Sequence, residues 1–202
     1  MLQVFITALS CTAIEFFETL AIAYALARAG YRREAIFGTL LGQSLIVVTA
    51  LLSPWPAAFV PLPWLRALAA LLLLGTGAYW SWKSWRRLRA RQRPRWVEQP
   101  LDKIGVTAVA SDRISPFVLL VMAKSSAVEA LEVLIVVAPL ALAAHAWPAA
   151  LSGMLLAVLM VGALAVLLHG RLKAIPEVRL KLATGVLLML IGLWWLVELV
   201  AA

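Results

Sequence analysis

The chain has 202 residues, 64% apolar and only 14% charged, with a formal charge of +8 and a single cysteine, Cys11. A soluble domain carries about 25% charged residues, so this chain has too little polar surface for a water-facing globule and belongs in a bilayer. At about 20 residues per span it has room for at most about eight spans, which excludes a large extramembrane catalytic domain, and one cysteine excludes a disulfide, a CxxC pair and a cysteine zinc cluster.

Six apolar segments follow in chain order. Leu2 to Ala27 lacks a basic leading region and carries two glutamates in its apolar stretch, so it reads as a retained first span and not as a signal peptide. Ala35 to Ser53 is the second, closed by Ser53-Pro54-Trp55-Pro56, and Trp64 to Trp82 is the third, opened by Pro61-Leu62-Pro63. Beyond it, Trp82 to Arg95 alternates tryptophan with arginine, which reads as an interfacial strip on anionic head groups in preference to an RNA-binding patch. Ser115 to Ala143 is the fourth span, where Pro139 predicts a kink or an early end. Trp147 to Leu168 and Leu180 to Ala201 complete an all-α, polytopic membrane protein of six transmembrane helices.

With alternating helices, the loops after the first, third and fifth spans share one side and hold 16 of the 18 basic residues, Arg179 and Lys181 among them. Only Arg66 falls on the other side, and Lys124 lies within a helix. The asymmetry predicts cytoplasmic basic loops with both termini outside, as in a bacterial inner (plasma) membrane. The basic charge thus reports topology, and no nucleic-acid partner is expected.

The chain also aligns with itself. Ser10 to Leu20 (SCTAIEFFETL) matches Lys124 to Leu134 (KSSAVEALEVL) without gaps at an offset of 114, and Gly77-Ala78-Tyr79-Trp80 matches Gly192-Leu193-Trp194-Trp195 at 115. This divides the sequence into a first three-helix repeat at 1–82, a basic cytoplasmic linker at 83–114 and a second three-helix repeat at 115–202. Because three is odd, the repeats enter the membrane from opposite sides, the inverted arrangement from which transporters build alternating access.

The repeats carry four glutamates near mid-depth: Glu15 and Glu18 in the first, Glu129 and Glu132 in the second. An ionised carboxylate at the bilayer centre costs at least ~2.5 kcal/mol, so such groups face a cavity, a partner or an ion. Spacing i, i+3 puts each pair on one helix face, and a pseudo-two-fold axis would bring the pairs together. Four carboxylates aimed at one another cannot all stay ionised unless a hard cation or protons balance them. Thr12 and Ser126, one turn earlier, are expected to support the glutamates as neutral oxygen ligands or by positioning them, as are Ser125 and Cys11, although a cysteine is more often a packing residue. Lys124, the one basic residue expected at depth, either snorkels to the interface or serves as internal counter-ion. Gln43 reads as an interhelical hydrogen bonder. Glu34, Glu177 and Glu198 read as solvated, and His145 and His169 lack metal-ligand spacing.

The paired motifs Glu15-x-x-Glu18 and Glu129-x-x-Glu132 in duplicated three-helix units resemble the lysine-exporter superfamily of small membrane transporters. Within it the chain is most similar to the high-affinity iron permeases with their Arg-Glu-x-x-Glu signature, and next to the calcium/manganese cation–proton antiporters with Glu-x-Gly-Asp. Ile14 and Val128 stand where the permeases carry arginine, and Phe17-Glu18 and Leu131-Glu132 replace the antiporters' Gly-Asp. The resemblance implies a transporter of a metal cation and leaves the ion open; with the four-glutamate site it gives the expectation of a proton-coupled carrier, iron or manganese first and calcium next, working in membrane lipid and compatible with a homo-oligomer. Competing readings are an exporter of a cationic amino acid or amine and a non-transporting membrane subunit. An enzyme is not expected, because no Ser/His/Asp set, HExxH or phosphate-binding loop is present.

Overall fold

The computed structural model describes residues 1–52, 61–92, 114–168 and 176–201. The Ser53-Pro56 turn, the linker from 93 to 113 and His169 lie outside them. Six long helices make up the fold of the described residues: α1 (Leu2–Arg28), α2 (Arg32–Leu52), α3 (Leu62–Arg89), α4 (Pro116–Ala143), α5 (Trp147–Leu168) and α6 (Glu177–Ala201). Each is long and apolar enough to cross a bilayer, as a polytopic all-α membrane protein requires.

The helix ends have local causes. After α1 the Tyr31 amide donates to the Leu26 carbonyl at 2.9 Å and Gly30 takes a φ of 95°, a glycine-closed Schellman turn. The same bonding closes α3 and α4, where Arg91 (φ 51°) and His145 (φ 48°) hold the left-handed position. His145 is therefore a turn residue. At the start of α4, Ser115 caps the Val118 amide, and the Ser115 amide itself donates to Glu34 Oε1 at 2.8 Å. Glu34 and Glu177, expected in water, are instead buried in the first turns of α2 and α6, where a carboxylate answers the unsatisfied amides of a helix start. Helix α4 runs on past Pro139 to Ala143. Helix α3 continues beyond Trp82 to Arg89, because Lys83 stacks over Tyr79, Arg86 over Trp82 and Arg89 over Trp85, each one turn apart at 4.9 to 5.0 Å.

Three helix pairs carry most of the packing: α3 lies along α6, α2 along α4 and α1 along α5, while α1 and α4 cross each other at the centre. In lipid no hydrophobic force draws helices together, so close backbone approach and van der Waals contact must do so, and glycine permits both. A Cβ at Gly77 would stand 2.6 Å from the Gly185 carbonyl oxygen, and one at Gly192 would stand 2.9 Å from that of Ala70, which together set the α3/α6 crossing. On the other pairs, a Cβ at Gly38 of α2 would stand 2.8 Å from the Leu119 carbonyl oxygen of α4, and one at Gly153 of α5 would stand 2.6 Å from that of Phe5 of α1. Two apolar clusters fill the interior, one around Leu73, Leu140 and Leu188 and one around Ile22, Leu26 and Met122. Outward-facing leucines such as Leu40, Leu45, Leu155 and Leu159 remain exposed on α2 and α5, an apolar exterior suited to lipid.

Gly77→Ala should therefore separate α3 from α6 and cost about 1–3 kcal/mol. Gly162, which has open space around it, should accept alanine with no loss and a gain of up to ~1 kcal/mol from helix propensity. Thermal melting of both variants in detergent checks the contrast.

Candidate metal centre

The α1/α4 crossing brings carboxylates together. Glu15, Glu129 and Glu132 each offer an oxygen within 4.8 Å of the others, with Glu15 and Glu129 buried and Glu132 half-buried. Glu18, one turn further along α1, is buried beside them and has its Oε2 at 3.8 Å from the Lys181 ammonium. The structure thus gathers three of the four expected carboxylates into one cluster and sets the fourth at its edge.

The counter-ion is Lys181, from the second turn of α6. Its Nζ donates to Glu15 Oε1 at 2.8 Å and lies 4.6 Å from the centre of the Trp80 ring. Lys124 does not take that part, because its side chain is exposed on α4. Counting Lys181 among the loop charges placed it in water, but its four-carbon stem lets the ammonium reach inward from a helix end just as it can reach outward. Trp80 supplies an aromatic face for the cation and is itself buried. The Pro63-x-x-Arg66 match to Pro176-x-x-Arg179 pairs Arg66 with Arg179, whereas at the 115 offset of Gly77 and Gly192 it is Lys181 that falls opposite Arg66.

Among the described residues, Lys181 is the ion-pair partner that the structure gives Glu15 and Glu18. Glu15 Oε2 is buried without a hydrogen-bond partner among the described residues, and an oxygen of Glu129 lies within 4.8 Å of one of Glu15. Two carboxylates that face each other can share only a proton or a cation, since neither donates otherwise. More oxygens converge from α1. Thr12 and Thr19 stand one turn before and after Glu15, and their hydroxyls, with that of Thr7, are buried without a hydrogen-bond partner. Thr7 and Thr19 were not singled out from sequence, although their spacing puts them near the same stripe of α1 as Thr12 and Glu15.

The other expected residues serve packing. Ser126 donates to the Thr39 carbonyl at 3.1 Å and accepts from Gln43 Nε2 at 3.1 Å, which ties α4 to α2. Gln43 makes the interhelical bond its type predicts. Cys11 is a fully buried free thiol one turn before Glu15, and Ser125 is half-buried on α4. Glu198 accepts from Trp194 Nε1 at 2.7 Å on the exposed side of α6. Beside the carboxylates a groove of about 280 Å³ opens between α3 and α4, lined by Gly75, Thr76, Tyr79, Trp80, Glu132 and Ile135. Glu132 therefore links the buried cluster to an open path. No protein-family model, curated protein or solved structure matches the chain, so the chemistry of these residues carries the functional reading.

Breaking a buried ion pair from one side strands a charge and costs about 3–5 kcal/mol, whereas removing both partners is far milder. Lys181→Met should accordingly lower the melting temperature in detergent strongly, and adding Glu15→Gln should recover most of the loss. A double-mutant cycle on the two positions measures the coupling.

Proposed function

We propose that the protein is a secondary transporter for a metal cation, iron or manganese before calcium, coupled to protons, and not an enzyme. The observation that carries this reading is the buried triad Glu15, Glu129 and Glu132 within 4.8 Å, with Glu15 Oε2 lacking a donor. Carboxylates at that spacing make a hard-oxygen site for a divalent cation, to which the unpartnered Thr12 hydroxyl adds a neutral oxygen. Protons are the natural exchange partner, because the same oxygens must be neutralised when the cation leaves.

Alternating access requires two units around that site, and the helix pairing supports two inverted three-helix repeats, α1 to α3 and α4 to α6. At an offset of 114 to 115 residues, the contact of Gly38 with Leu119 becomes that of Gly153 with Phe5, and Gly77 on Gly185 becomes Gly192 on Ala70. On this reading the chain shares the transport architecture of the lysine-exporter superfamily. It sits in a bacterial inner membrane with its basic loops cytoplasmic, in accord with the basic residues Arg28, Arg32, Arg86 and Arg89 at one end of the bundle.

One observation favours a second reading, export of a cationic amine. The Lys181 ammonium already rests on Glu15 and over Trp80, a carboxylate and an aromatic face that suit a free ammonium equally well. Uptake of manganese into proteoliposomes separates the two. Glu129→Gln should reduce manganese flux at least about tenfold, the loss expected when a charged ligand is removed from a site. Manganese flux equal to that of the unsubstituted protein would reject the metal reading, and amine flux lost in its place would establish the second.

A further inference from the structure

The cation, the two glutamates and the tryptophan of the site occur twice in the sequence. Lys181, Glu15, Glu18 and Trp80 are in contact in the structure. Their counterparts at the same offsets are Arg66, Glu129, Glu132 and Trp195. The two glycine contacts of the α3/α6 crossing map onto each other at an offset of 115 and support this equivalence. The antiparallel register that seats Gly77 on Gly185 and Gly192 on Ala70 sets Lys181 across from Trp80, and, continued to the far end, sets Arg66 level with Trp195.

The two half-sites are in different conditions. Lys181 is engaged, with its side chain 19% exposed. Arg66 is exposed, and Trp195 is buried with its Nε1 donating to Gln3 Oε1 at 2.9 Å. Beside Trp80, over which Lys181 rests, the groove is lined by Thr76 and Glu132. The counterpart of Thr76 is Ile191, which is buried. The carboxylates are also unevenly used. Glu15 and Glu129 occupy the centre, Glu132 completes the triad from one side, and Glu18, its counterpart, faces Lys181.

We propose that Lys181 and Arg66 are alternating internal plugs, and that the structure is one of two mirrored states. In the state seen, Lys181 neutralises Glu15 and Glu18 from the basic end of the bundle, and the cargo site is Glu15, Glu129 and Glu132, open through the α3/α4 groove. In the mirrored state Lys181 withdraws, Arg66 swings over Trp195 onto Glu129 and Glu132, and the cargo site becomes Glu129, Glu15 and Glu18. Cargo passes from Glu132 to Glu18 while Glu15 and Glu129 hold it throughout. Glu132 lies one turn toward the far end from Glu129 and Glu18 one turn toward the basic end from Glu15, so the exchange moves the site along the membrane normal. The inference rests on the transport reading and not on the identity of the cargo. It makes Lys181 a positioning residue, since it acts by deciding which half-site is open.

Thiol labelling tests it without any metal. In a Cys11→Ala background, Thr76→Cys reports the open groove and Ile191→Cys its closed counterpart, each read as the rate of maleimide modification of the purified protein in detergent. Lys181→Gln should slow labelling at Thr76→Cys and speed it at Ile191→Cys, each by about fivefold, as a shift between two populated states requires. Arg66→Gln should do the reverse, Lys181→Arg should behave as the unsubstituted protein, and the Lys181→Gln/Arg66→Gln double variant should return both rates to within about twofold. A Lys181→Gln variant that raises both rates together is merely loosened, and that result overturns the proposal. So does an Arg66→Gln variant that changes neither rate, a measurement that stands even where Lys181→Gln fails to fold. Reciprocal labelling without manganese flux would instead reject the metal cargo and leave the exchange of plugs standing.

Discussion

The structure depends on the meeting of buried carboxylates from α1 and α4 with the Lys181 ammonium of α6. Three carboxylates lie within 4.8 Å of one another, and the Lys181 ammonium pairs with Glu15 of that group and with Glu18 at its edge. In water such a cluster would be screened and its energy small, but in a bilayer interior each uncompensated charge costs several kilocalories per mole. The fold accordingly invests its polar groups near this point: Lys181 from α6, Trp80 from α3 and the threonine stripe of α1.

Helix packing makes the cluster achievable. Helices α1 and α4 each lie along a companion, α5 and α2, through a glycine that admits a backbone carbonyl. With their outer faces so held, the two central helices present their glutamates to each other. The support is unequal. Ser126 of α4 is fully engaged with Thr39 and Gln43 of α2, whereas its α1 counterpart Thr12 has no partner. The hydroxyl on α4 is therefore committed to interhelical bonding, and, among the described residues, the one on α1 is not.

The six helices were legible because span-length apolar runs separated by charge and proline admit one assignment. The glutamates were legible because a carboxylate inside such a run is costly enough to need a reason. Less was visible where side-chain length and helix-end chemistry decide. Lys181 sits four residues into α6, where counting basic residues assigns it to water, yet its stem carries the charge to Glu15. Glu34 looked solvated because it flanks an apolar run, but it receives the Ser115 amide of a helix distant in sequence, a contact only the tertiary fold creates. The end of α3 was placed at Trp82 because hydropathy falls there. Hydropathy does not register that arginine stacked on tryptophan one turn back continues a helix readily.

A tethered counter-ion also sets a threshold for what can replace it. An ammonium on a short stem competes at an effective concentration in the millimolar range or above, without the translational cost a free ion incurs. A free monovalent cation offers the carboxylates the same charge and would gain little over Lys181. A divalent cation doubles the Coulombic attraction to the same oxygens and can gather Glu15, Glu129 and Glu132 at once, which one ammonium engaged with Glu15 and Glu18 cannot do. On the transport reading, Lys181 thus stays on Glu15 and Glu18 while cargo binds Glu15, Glu129 and Glu132, and through its share of Glu15 it favours cargo of higher charge density over monovalent ions.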